Sequence, residues 1–162
     1  MRALRFILTI LTVAAVLTGC EQGPATVENG ITAEPQEATS KDFGNYIVHF
    51  NAITTDKLQP EVARTYNIAR SSNRALLNIS IVKKVDGSIG TPVTADIEVT
   101  ANNLTGQLKN LSVRQIQEGD AIYYIGDVPV ANAENLVFNV SVTPADTTET
   151  YAFRFKRQFF ND

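Results

Sequence analysis

The sequence predicts an all-β domain: an immunoglobulin-like antiparallel β-sandwich of about seven strands, with one short helix between the first two strands. Three observations carry this. Apolar and polar residues alternate at period two in separate runs, the pattern of strands with one buried and one solvated face. Turn-forming residues punctuate those runs at Asp86-Gly87, Asn102-Asn103, Glu118-Gly119-Asp120, Asn132 to Asn135 and Pro144-Ala145-Asp146. The span from Phe43 to Asp162 is about 120 residues, enough for one domain with its own core.

Taken in order, Tyr46, Val48, Phe50 and Ala52 share one face of a first strand. The period then changes. Pro60 suits the first position of a helix, and Leu58, Val62, Tyr66 and Ile68 recur at roughly helical spacing, so a helix of about two turns is expected to cross one end of the sandwich. Ala75, Leu77, Ile79 and Ile81 define the second strand. Val93, Ala95, Ile97, Val99 and Ala101 alternate with Thr94, Asp96, Glu98 and Thr100, the clearest half-buried strand in the chain. Runs at Leu111 to Ile116, Ala121 to Val130 and Leu136 to Thr143 follow. Thr150 to Phe160 closes the domain, with Tyr151, Phe153, Phe155 and Phe159 set against Arg154, Lys156 and Gln158. With no tryptophan and one cysteine, the core must be Phe, Ile, Val and Leu rather than a disulfide packed on an indole.

Residues 1–19 read as a leader. Arg2 and Arg5 precede an apolar run from Phe6 to Leu17, about a dozen residues, whereas a membrane span needs roughly 20. The run ends in Leu17-Thr18-Gly19-Cys20, which resembles the lipobox of bacterial lipoproteins, where the cysteine is lipidated and becomes the first residue. With no second cysteine an internal disulfide is excluded, and the expected role of Cys20 is to carry a palmitate-type acyl anchor. Each buried CH₂ contributes about 0.8 kcal/mol, so several acyl chains hold a protein durably at a membrane. Glu21 stands where an aspartate would signal inner-membrane retention, which favours the outer membrane, with the domain facing the periplasm. Residues 20–42, rich in Gly, Pro, Thr, Ala and Glu, read as a flexible tether with a reach of roughly 25 Å; an alternative docks Val27 or Ile31 on the domain as an edge element.

Charge and composition narrow the chemistry. The formal charge is −3, and loss of Arg2 and Arg5 with the leader makes it −5, the opposite of a nucleic-acid footprint. The one histidine, His49, lies within the first strand and is expected to face solvent, so a histidine-based triad is not expected. Zinc and copper need clusters of His or Cys, and no metal or other cofactor is expected. Asp86, Asp120, Asp127 and Asp146 sit in or beside loops without calcium-loop spacing, which assigns them to turns. No P-loop or GxGxxG occurs. Four Asn-x-Ser/Thr triplets begin at Asn78, Asn103, Asn110 and Asn139, but a bacterial lipobox argues against glycosylation.

Two constellations remain. Tyr66 to Arg74 is the densest polar stretch, and Arg64, Arg70 and Arg74, with Tyr66, Ser71 and Asn73, form a candidate binding loop, because guanidinium forks take carboxylate or phosphate bidentately. The competing reading has Arg70 and Arg74 bracing the loop through backbone carbonyls and an acid such as Asp42 or Asp120. The second constellation is Glu118 to Tyr124, where Tyr123 and Tyr124 must face opposite sides of a strand, one in the core and one on a contact surface.

The stretches Lys41 to Tyr46, Ser71 to Ser80 and Glu118 to Tyr124, with the aromatic C-terminal strand, resemble the bacterial exported family of domains of unknown function numbered 4426, over residues 41–162. The resemblance implies a single periplasm-facing domain and supplies no catalytic residues. The expected function is therefore a membrane-anchored, non-catalytic interaction or accessory module with an envelope protein or peptide as partner. Two alternatives stand beside it: a binder of a small anionic ligand at the Arg70/Arg74 loop, and a carboxylate-dependent hydrolase of envelope glycan.

Overall fold

The computed structural model of the chain describes residues 38–161. The leader, Cys20 and the tether as far as residue 37 lie outside the described residues. Ten strands and two short helical elements follow one another: β1 (Ser40–Asp42), β2 (Tyr46–Thr54), a 3-10 turn (Thr55–Lys57), α1 (Pro60–Thr65), β3 (Arg74–Lys83), β4 (Thr91–Pro92), β5 (Ala95–Asn103), β6 (Leu108–Lys109), β7 (Arg114–Glu118), β8 (Ala121–Pro129), β9 (Glu134–Pro144) and β10 (Tyr151–Phe159).

All pairings are antiparallel. One sheet runs β1-β2-β3-β8-β7 with β4 beside β3, and the other runs β10-β9-β5-β6. The order β2-β3-β8-β7 against β10-β9-β5 matches the two sheets of a constant-type immunoglobulin sandwich, with β6 added beside β5. The expected all-β sandwich and its seven main strands are therefore present.

Alternation dictates the core. Val48, Phe50 and Ala52 from β2, Leu77, Ile79 and Ile81 from β3, and Leu136, Phe138, Val140 and Val142 from β9 are all buried between the sheets. Phe138 of β9 stacks on Phe155 of β10 with ring centres 4.8 Å apart, and Phe50 of β2 lies 4.7 Å from Phe153 at a tilt of 35°, packing the rings of one sheet against those of the other. The His49 side chain, on the opposite face of β2, is exposed.

Three local departures from the expected boundaries have clear causes. The first sheet begins at Ser40, ahead of the boundary expected at Phe43: Gly44, at φ +78°, turns the chain, the Asp42 carboxylate accepts from the Gly44 N–H at 2.9 Å, and the Lys84 ammonium holds the same carboxylate at 2.6 Å. The strand expected at Leu111 to Ile116 pairs only from Arg114 to Glu118. Residues 111–113 cross from one sheet to the other over Gly126, where a Cβ would stand 2.6 Å from the Ser112 carbonyl oxygen, so only glycine admits the crossing. The helix is shorter than two turns, six residues from Pro60 to Thr65.

Candidate binding site

The connection from β2 to β3 shapes a groove on the outer face of the first sheet. Alternation that buries Leu77 and Ile79 leaves Leu76 and Asn78 on the other side of β3, and the same parity turns Tyr123 and Ile125 outward from β8 and Arg114, Ile116 and Glu118 outward from β7. Register sets Asn78 opposite Ile125, Ile125 opposite Arg114 and Tyr123 opposite Ile116, so these side chains form one continuous floor.

The end of α1 lays a wall over that floor. Asn67 takes a left-handed conformation at φ +53°, its N–H donates to the Arg64 carbonyl at 3.2 Å, and the Ile68 N–H donates to the Ala63 carbonyl at 2.7 Å. This is the Schellman arrangement, which asparagine tolerates because its short polar side chain relieves the left-handed strain. The reversal carries Ile68 onto the floor against Leu76 and Ile125. Arg114 then donates from Nη2 to the Tyr66 carbonyl, tying the end of the helix to β7.

A buried hydroxyl fixes the base of the wall. Thr55 is fully buried, and its Oγ1 lies 2.8 Å from the Ala69 carbonyl and 3.0 Å from the Ser71 carbonyl while accepting the Ser71 N–H at 2.9 Å. Arg70 adds a bond from Nη2 to the Asp56 carbonyl at 2.5 Å.

The resulting groove, about 220 Å³, has apolar sides from Leu58, Val62, Ile68 and Ile116. Tyr66, Tyr123 and Glu118 also line it, and the Asn78 Oδ1 in its floor is buried with no hydrogen-bond partner. Burial raises the pKa of the Tyr66 phenol; the Glu118 carboxylate, which repels a phenolate and hydrogen-bonds the phenol, raises it further, and Tyr123 adds to the effect.

The residues singled out by the sequence separate into groups. Tyr66 and Tyr123 come together in the groove. Tyr124 lies in the core, where its hydroxyl accepts the Ala95 N–H at 2.6 Å and faces Gln115 Oε1 at 3.1 Å, joining the two sheets. Arg64 and Arg70 line an adjoining cavity of about 600 Å³ that shares Asn67 and Ile68 with the neighbouring depression over Gly126. Arg74 is not among the residues lining that cavity; it forms an ion pair with Asp127 on β8. The Ser71 Oγ accepts the Asn73 N–H at 3.1 Å and so shapes the loop, and the Asn73 carbonyl accepts the Val130 N–H at 2.9 Å and ties the loop to the residue after β8. Asn78 and Arg114 were not singled out as site residues; counting in twos back from Glu118 along β7 reaches Arg114, whereas Asn78 joins the floor only through the pairing of β3 with β8. Among the described residues, no group of three or more His, Cys, Asp or Glu gathers to hold a metal ion.

Residues 40–162 match the family described as domain of unknown function (DUF4426). The fold is similar to the crystal structure of a DUF4426 family protein from Pseudomonas aeruginosa PAO1, with 29% identity, 80% of this chain and 99% of that chain covered, and a TM-score of 0.66. No functionally curated protein matches the chain.

Proposed function

Because this chain belongs to the DUF4426 family, whose description carries no activity, we propose from its own residues that it is a non-catalytic binding module of the bacterial cell envelope, anchored through lipidated Cys20 and facing the periplasm. Its contact surface is the groove between α1 and the outer face of β3, β8 and β7. The observation that carries this reading is the meeting of Tyr66, Tyr123 and Glu118 around an apolar cleft.

Two experiments test the two halves. For the anchor, Cys20→Ser is expected to release the protein from the membrane fraction, and mass spectrometry is expected to find an acylated Cys20 at the N-terminus; a leader-bearing, unacylated N-terminus refutes it. For the surface, a photo-crosslinking residue at Val62, on the groove rim and 42% exposed, is expected to capture a discrete envelope partner that the same residue at His49 does not. Equal capture at both positions, or none at Val62, refutes it.

A second reading rests on the cavity lined by Arg64 and Arg70, which suits a small carboxylate or phosphate. Inorganic phosphate should then raise the melting temperature, and Arg64→Ala should abolish the rise.

A further inference from the structure

We infer that the groove receives the side chain of a lysine presented by an extended peptide of the partner; this rests on the groove being the contact surface proposed above. Glu118 is the one charged residue lining it, and no basic residue does so. Glu118 also takes part in none of the four ion pairs formed among the described residues. The basic residue nearest along the same face of β7, Arg114, is engaged by the Tyr66 carbonyl.

Both phenols in the lining can accept from or face a cation. Tyr66 and Tyr123 offer hydroxyl oxygens and ring faces. Aromatic faces attract an ammonium through the ring quadrupole, most strongly where water is displaced. The apolar sides suit a methylene stem, as lysine stems lie along apolar surface with the charge at the tip. Size narrows the occupant further. A cleft of about 220 Å³ is below the roughly 300–1,000 Å³ of sites for drug-sized molecules, so it suits one long side chain rather than a helix. The formal charge of −3 would draw such a cation from a distance.

The test is calorimetric titration of the full-length protein in detergent with the peptide acetyl-Gly-Gly-Lys-Gly-Gly-amide and two analogues, one with norleucine and one with Nε-acetyl-lysine in place of lysine. The lysine peptide is expected to bind about tenfold more tightly than either uncharged analogue, and Glu118→Gln and Tyr123→Leu are each expected to weaken it by about fivefold. Added salt should weaken the lysine peptide alone.

If the norleucine peptide binds as tightly as the lysine peptide, the cation reading is overturned while the groove stands. Binding of the lysine peptide unchanged by both variants places it elsewhere and overturns the proposal. n-Butylammonium ion binding as tightly as the peptide assigns the site to free amines and overturns the peptide partner. No binding by any probe overturns the lysine assignment, and crosslinking from Val62 then decides separately whether the groove is used at all.

Discussion

Replacing Thr55 by valine removes one oxygen from a fully buried position and nothing else of consequence in shape, which isolates what that hydroxyl does for the wall of the groove. The substitution deprives the Ser71 N–H of its acceptor and the Ala69 and Ser71 carbonyls of their donor. Leaving a buried donor or acceptor unmade costs about 1–3 kcal/mol each, and one hydroxyl proton serves the two carbonyls in turn, so the loss is about 2–4 kcal/mol. In a domain of this size that is a fall in melting temperature on the order of 10 °C. Thr55→Ser keeps the hydroxyl and removes one methyl, costing about 0.8 kcal/mol plus a small cavity. Urea unfolding followed by far-ultraviolet circular dichroism ranks the two. If serine costs as much as valine, packing rather than hydrogen bonding holds the 55–71 segment and the reasoning fails. A further consequence separates the site from the core: Thr55→Val should also loosen the end of α1, read as faster amide exchange at Asn67 and Ile68 than at core strand β9.

Phe138→Ala, which empties the centre of the core and its stack on Phe155, should cost about 3–5 kcal/mol by urea unfolding; a cost under about 1 kcal/mol would mean the sheets close over the gap. Glu134 has a lowered pKa: burial raises it, but hydrogen bonds from Lys109 and the Ala131 N–H outweigh that. Its contribution is therefore present above the ordinary value of 4.5 and is lost as pH falls through the lower folded value; Glu134→Gln should flatten the acid limb of a pH–stability curve. Tyr46 and Tyr151 are both pushed up to about 12, chiefly by hydrogen bonds to Asp146 and Glu149 respectively. Spectrophotometric titration at alkaline pH should show two phenols ionising late, and Asp146→Asn should bring one of them down. Because the folded state holds these protons more tightly than the unfolded chain, stability should fall as pH rises from 10 toward 12.

Period-two alternation made the sandwich legible because it reports which side chains are buried. It does not report hydrogen bonding, and the misplaced strand at Leu111 shows the difference. Leu111 and Val113 do pack against the core, yet their backbone crosses between sheets, and the reason sits fifteen residues away from Leu111 at Gly126. Short edge pieces such as Leu108–Lys109 and Thr91–Pro92 are too brief to leave any period. At the site, Tyr66 and Tyr123 stood out by residue type and Glu118 by its turn, but their meeting depends on the reversal at Asn67, a residue that also reads as ordinary loop. The arginines were legible only as charge. Arg74 has a carboxylate diagonally across the strand pair, since Asp127 stands opposite Leu76, two residues along the same face of β3, and no count along the chain reveals a partner set by register.

Any pull arriving along the N-terminal segment enters the fold at β1, whose three residues are exposed and bury nothing. Peeling that strip from β2 would give about 10 Å of slack at 3.3 Å per residue, opposed by a few backbone bonds and the Asp42–Lys84 clasp. The next residue, Phe43, is a different matter, with its ring 5.0 Å from that of Tyr151 and 6.2 Å from that of Phe153. The domain thus carries a mechanical fuse ahead of an aromatic bolt: a modest tug lengthens the line without wetting the interior.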